Sequence, residues 1–344
     1  MKNKYIFFFF CLFAQGIFAQ SPQECYSEAF SEITSMLSGK DTLDFRNAVY
    51  TAENAYFDNQ LDKDVFNGAI SFYAALSKNI MSSGDIIYSE KDKEKASMQC
   101  AVFTFMTDSI PVSLNGGIAI HPPFSYNHED FAGQKDWTNT FVSTLMQTQK
   151  GNCHSLPYLY KMIMDELVQE SFLALAPNHI YIKAQNKAVG WYNIELTCGD
   201  FPTDAWLMAS GYIHTDAIRS GIYMNPLTTK QSVALCLVDL AQGYQAKFGI
   251  EDGTFILQCC NTALQYFPNY INALLLKTET LTALYRQSTD SEKGKELLSQ
   301  ITEITPLIHQ LGYRKMPQGM YQNWLKSLNT EDTNQKMKAV VIKK

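Results

Sequence analysis

Apolar residues recur at three- and four-residue intervals from about residue 21 to residue 106, the spacing of helices that each bury one face. Phe30, Ile33 and Leu37 mark the first of these in SEAFSEITSML, and SEKDKEKASMQCAVFTFM begins charged and turns apolar, as a helix running into a core does. Pro111, Gly116, Gly117, Pro122 and Pro123 then break the period, which predicts a linker or long loop and a domain boundary near residue 110. From 111 to 228 the period changes repeatedly. Residues 137 to 149 read as a helix, KGNCHSLPYLYKMIMDEL as a loop leading into a second helix, and HIYIKA and GWYNIELT as strands. From 229 to 328 the pattern is helical again, and the last residues, 329 to 344, form a polar and then basic tail. The pattern as a whole predicts an α+β protein: an N-terminal helical region (20–110), a mixed core (111–228) and a C-terminal helical region (229–328).

The first nineteen residues stand apart. Two lysines precede an apolar run from Ile6 to Phe13, and small residues follow at Ala14, Gly16 and Ala19, the order of a secretory signal peptide cleaved after Ala19. The run is too short to span a bilayer, so the mature chain is expected to be exported, periplasmic or extracellular, with no membrane span. Net charge is −6, and −8 once Lys2 and Lys4 are removed, with no cluster of Lys and Arg dense enough for nucleic acid. Cys25, Cys100, Cys153, Cys198, Cys236, Cys259 and Cys260 remain in the mature chain, an odd number that leaves at least one thiol outside any intramolecular bridge. No metal-ligand spacing occurs among the cysteines and histidines, so neither metal nor other cofactor is expected.

One of those cysteines lies at a chemically distinctive place. Leu156, Leu159, Tyr160, Ile163, Met164 and Leu167 form one apolar stripe, and Pro157 is tolerated only in a first helical turn, so Cys153 falls at a helix N-terminus. Unpaired N–H groups and the positive helix end favour a thiolate there, and the Cys153 N–H can face a developing oxyanion. A buried thiol near a cap, or half of a disulfide, is the plainer alternative. The following hairpin adds weight to the first reading. If Ala184 pairs with Gly190 around a loop centred on Lys187, His179 lies directly opposite Glu195, close enough for an imidazole–carboxylate hydrogen bond. A thiol at a helix end, a histidine to take its proton and a carboxylate to orient that histidine make up an activated nucleophile.

GNCHSLPYLY, followed by NHIYIKA and WYNIEL, resembles the transglutaminase-like superfamily of papain-type cysteine enzymes, over roughly residues 125 to 290. The run Ala263, Phe267, Pro268, Asn272 and Ala273, with Leu240, Ala241 and Tyr244 before it, is similar to a tetratricopeptide repeat with a short insertion in its middle. The bacterial branch that joins such a core to such repeats is the nearest likeness. The resemblance implies a Cys helix packed on an antiparallel sheet, with Cys153 as nucleophile, His179 as general base and Glu195 as the orienting acid. The usual acid is aspartate, and Asn193, on the same strand face, is an alternative to Glu195. A further oxyanion donor is implied upstream, with Asn139 the candidate and Gln147 and Gln149 its rivals. His154 has no assigned role and is read as solvent-facing. The expected function is an exported thiol enzyme that acts on amide bonds of peptides or proteins through a thioester, with hydrolysis favoured over cross-linking. The alternative is an inactive relative that binds a peptide or protein partner.

Overall fold

The computed structural model describes residues 21–84, 86–114 and 117–320, so the signal-peptide and tail assignments lie outside the described residues. The chain is a mixed α+β protein, mostly helical. Four helices come first: α1 (Pro22–Ser38), α2 (Phe45–Tyr56), α3 (Lys63–Ser83) and α4 (Lys93–Thr107). The starts of the first three are set by local chemistry. Ser21 and Glu24 form a reciprocal capping box with Pro22 in the first turn, and Asp44 and Asp62 accept N–H bonds at the next two N-termini.

The expected linker after residue 110 is instead an antiparallel hairpin, β1 (Ile110–Leu114) and β2 (Gly117–His121). Pro111 is compatible with a strand here because each member of a two-stranded sheet has an unpaired side on which no N–H is required. Residues 137 to 149 also depart from a single helix. Trp137–Thr140 form a 3-10 turn, the chain extends at Phe141, and α5 (Val142–Thr148) begins only then. The buried Glu53 carboxylate fixes this break by accepting from the Val142 and Ser143 N–H groups at 2.6 and 2.9 Å. Two short parallel strands, β3 (Ser125–Tyr126) and β4 (Lys150–Gly151), then bring the chain to α6 (Ser155–Glu166).

Helix α6 carries the expected stripe and more. Tyr158, Lys161 and Met162, outside that stripe, are buried too, because α3, α4 and α5 pack around the helix while β5 (Phe172–Ala176) and β6 (His179–Asn186) lie against another side. Its polar atoms are matched rather than stranded. The Tyr160 hydroxyl donates to the Gln99 carbonyl at 3.1 Å, and Lys161 Nζ reaches Asp165 at 2.9 Å and the Ser171 carbonyl at 3.3 Å.

Strands β5, β6 and β7 (Gly190–Ile194) form an antiparallel meander. Its register corrects the expectation by two residues. Ala184 pairs with Tyr192, not Gly190, and Asn186 pairs with Gly190 around a loop of Lys187, Ala188 and Val189. Gly190 has φ +73°, the left-handed conformation that lets a loop of this length close. A shift of two leaves every side chain on its expected face.

The remaining helices are α7 (Asp204–Ser210), α8 (Thr215–Arg219), α9 (Thr229–Phe248), α10 (Thr254–Tyr266), α11 (Ile271–Gln287) and α12 (Ser291–Gln310). The last four pack each against the next, and α9 also packs on α1 and α2. One contiguous buried cluster runs from Cys25 in α1 to Leu311 after α12. No described helix is long and apolar enough to cross a membrane.

Candidate active site

The loop that carries Cys153 is held by a dense set of backbone bonds. Tyr126 pairs with Gly151, and the Asn127 N–H donates to the Gly151 carbonyl at 2.7 Å. Asn152 supplies the cap: its Oδ1 accepts from the His154 and Ser155 N–H groups at 2.9 and 3.0 Å, while its Nδ2 donates to the Phe131 carbonyl at 2.8 Å. Cys153 therefore occupies the turn at the head of α6, half-buried, with its own N–H donating to no other group among the described residues. None of the seven described cysteines forms a disulfide, Cys153 included.

Gly151 has no room for a side chain. A Cβ there would stand 2.6 Å from Ser155 Oγ and 2.8 Å from Leu145 Cδ1. Gly151→Ala is expected to lose about 1–3 kcal/mol of stability by overpacking and to slow alkylation of Cys153 by displacing its loop. A denaturant titration read beside the alkylation rate checks both, and unchanged values would contradict this account of the loop.

His179 opens β6 and is buried; Glu195 lies one residue past the end of β7 and is buried as well. Continuing the β6–β7 ladder by one step would set Tyr181, not His179, opposite Glu195. The histidine and the carboxylate are thus diagonal neighbours, and the extra methylene of glutamate helps to cover the longer span. His179 Nε2 and Glu195 Oε2 are 2.5 Å apart, with side chains only 2% and 3% exposed. Beyond β7 the chain doubles back through Gly199, at φ +65°, so that Glu195 and Asp200 exchange backbone bonds of 2.8 and 2.9 Å. Thr197 in that turn holds the other carboxylate oxygen, donating to Oε1 from its N–H at 3.0 Å and its hydroxyl at 2.7 Å. Thr197 is absent from the candidates read from the sequence, although its place two residues after the acid is the usual signal for such a local bond.

Cys153 meets this segment one residue earlier. Its thiol donates to the carbonyl of Asn178, the residue before His179, at 3.8 Å. Asn178 adopts φ +55°, a conformation that asparagine tolerates better than most residues. Burial alone would pull His179 down, but the Glu195 charge, and after it the Cys153 sulfur, push it up to about 10. Glu195 is lowered despite its burial, chiefly by the charge of His179 and then by the bonds from His179 and Thr197.

The other candidate residues have different partners. The Asn193 amide donates to the Pro202 carbonyl at 3.0 Å and to Asp204 Oδ1 at 2.8 Å, fastening α7 to the sheet and making no hydrogen bond with His179. The Asn139 amide donates to Asp130 Oδ2 at 2.9 Å and makes no hydrogen bond with Cys153. Gln149 is the left-handed residue that ends α5, its carbonyl accepting from the Ser125 N–H, and Gln147 makes no described contact with Cys153. His154 is not solvent-facing. Its Nδ1 is 3.0 Å from the Thr140 carbonyl, its Nε2 is 3.0 Å from Asp239 Oδ1, and its ring lies on Tyr158. Burial would lower it, but Asp239 and then the Thr140 carbonyl raise it to about 9. No cluster of potential metal ligands occurs among the described residues.

A thiol, an imidazole and a carboxylate from three separate segments thus converge at the head of α6. No protein-family model, curated protein or solved structure matches the chain.

Proposed function

We propose that the chain is an exported thiol enzyme with a transglutaminase-like core and tetratricopeptide-like C-terminal helices, acting on amide bonds of peptides or proteins. The observation that carries this reading is the placement of His179, whose ring is bonded to Glu195 and whose chain neighbour Asn178 accepts from the Cys153 thiol. An imidazolium that persists to about pH 10 is already protonated at neutral pH. In the proposed mechanism the Cys153 proton resides on His179 when the sulfur attacks, and Glu195 stabilises the resulting charge.

From that state the Cys153 sulfur attacks the amide carbonyl carbon, and the Cys153 N–H donates to the oxygen as negative charge develops on it. The imidazolium gives its proton to the departing amine, which leaves a thioester and a neutral His179. Water then attacks the thioester. His179 takes a proton from that water, the carboxylic acid product departs, and the thiolate–imidazolium pair is restored. An amine in place of water would give cross-linking; hydrolysis is favoured because water is the abundant acceptor.

The test is amide cleavage on a mixture of unstructured peptides, read by mass spectrometry as new termini or as deamidated side chains, with trapping of a Cys153 adduct. Cys153→Ala is expected to remove the cleavage by about a thousandfold or more. Cleavage that survives this substitution would sink the thiol mechanism. Peptides that bind both proteins, with neither cleaving them, would assign the fold to binding instead.

A further inference from the structure

Behind the nucleophile loop, a cavity of about 160 Å³ opens between α2, the 3-10 turn at Trp137–Thr140, the head of α6 and α9. It shares no lining residue with the small cleft beside His179 and Glu195. At about 30 Å³ for each water, it has room for about five waters or for one organic molecule near the size of benzene. Its ionisable walls are Glu53, His154 and Asp239, two acids and one base, and its aromatic walls are Trp137, Phe141 and Tyr158.

Glu53 makes no direct ion pair, although the His154 charge acts on it across the cavity. It is 4% exposed, and its described hydrogen bonds come from the backbone N–H groups of Val142 and Ser143. No lysine, arginine or histidine among the described residues forms an ion pair with it. His154, the cationic wall residue, is committed to Asp239, which also accepts from the Tyr158 hydroxyl at 2.9 Å. A buried carboxylate at the edge of an aromatic-walled space is a receptor for positive charge, since a cation there offsets its desolvation and gains from the ring faces. Burial pushes Glu53 up to about 7 even though the Ser143 and Val142 bonds and the His154 charge pull it down, and the two acids of the cavity outnumber its one base.

We propose that this cavity binds a small organic ammonium ion, its charged end toward Glu53 and its alkyl part among Trp137, Phe141 and Tyr158. The site shares no lining residue with the His179–Glu195 cleft, and its test does not use turnover. A neutral hydroxyl is the rival ligand, since Trp137 Nε1 is buried with no acceptor among the described residues and would suit one. The probes below separate the two.

Titrations of the mature protein at about pH 8, where Glu53 is ionised, would compare n-butylammonium, 1-butanol and butyrate by calorimetry or ligand-observed NMR. Butylammonium is expected to bind saturably, in the weak range typical of so small a ligand, and about tenfold or more tighter than either comparator. Ala52→Leu, which fills the cavity from α2 and leaves all three ionisable walls in place, is expected to abolish it. Glu53→Gln is expected to weaken it about tenfold or more, and Ala52→Leu keeps the site testable if that variant loosens the start of α5. Binding of 1-butanol as tight as butylammonium, tighter binding of butyrate, no saturable binding, or binding that survives Ala52→Leu would each overturn the proposal.

Discussion

Replacing Glu195 with alanine is expected to destabilise the fold by about 3–5 kcal/mol, because it leaves an imidazole buried without its carboxylate. Both side chains are almost fully inaccessible, so solvent cannot take the place of the lost partner. The direction with pH follows from the same pair. His179 is raised above the ordinary histidine value of 6.5, so its contribution is fully present below 6.5 and is lost as pH rises through about 10. Glu195 is lowered from 4.5, so its share is present above 4.5 and is lost in more acidic solution. The stability difference between wild type and Glu195→Ala should therefore be largest between these limits and shrink on both sides. Glu195→Gln separates fold from function: it keeps the volume and one acceptor but cannot balance an imidazolium. That variant should lose less stability and still lose about 10²–10⁴ in turnover. Denaturant melts at several pH values and a turnover assay check these results, and a Glu195→Ala protein as stable as wild type would contradict the geometry.

A second large effect is expected away from Cys153, at Asp239. This residue reaches from α9 to His154 and to the Tyr158 hydroxyl, tying the C-terminal helices to the head of α6. Asp239→Ala leaves His154 without its counter-ion. Because the two side chains are still 23% and 19% exposed, the loss is put at about 1–3 kcal/mol rather than the figure for a sealed pair. His154 is raised to about 9, so the loss should be complete below pH 6.5 and fade as pH rises through about 9. Denaturant melts of both proteins across that range measure it, and a pH-independent difference would show that the ion pair is not its source. Because Asn152 and Cys153 immediately precede His154, the same substitution should also slow Cys153 alkylation.

The parts of the site most legible in the sequence are those that rest on short periods. The two-residue alternation of HIYIKA and GWYNIELT is enough to put His179 and Glu195 on one face, and Pro157 is enough to place Cys153 at the head of a helix. The strand register is not legible, since it depends on whether the hairpin loop is centred on Lys187 or on Ala188, and only the backbone shows Gly190 closing that loop in the left-handed conformation. The bond between the two side chains tolerates the difference because an even shift preserves the face and a glutamate can reach a diagonal neighbour. His154 looks solvent-facing from its neighbours in sequence because Asp239, the group that holds and charges it, is far downstream in the chain. Likewise Pro111 and Gly117 suggest a loop, although each is acceptable in the two-stranded sheet that forms there. Glu53 gives no local sign of its role, since its partners at Val142 and Ser143 come together with it only in the folded chain.

The central claim is that Cys153 and His179 act as one proton-sharing unit, and the most direct measurement is the pH dependence of Cys153 alkylation in the wild-type protein and in His179→Ala. Peptide-level mass spectrometry separates Cys153 from the other thiols, and exposed Cys100 serves as an internal reference. Wild-type Cys153 is predicted to react in more acidic solution than Cys100 does. In His179→Ala that early reaction should disappear, leaving a profile like that of an ordinary thiol. The same profile in both proteins, or a Cys153 that stays unmodified while Cys100 reacts, would contradict the account.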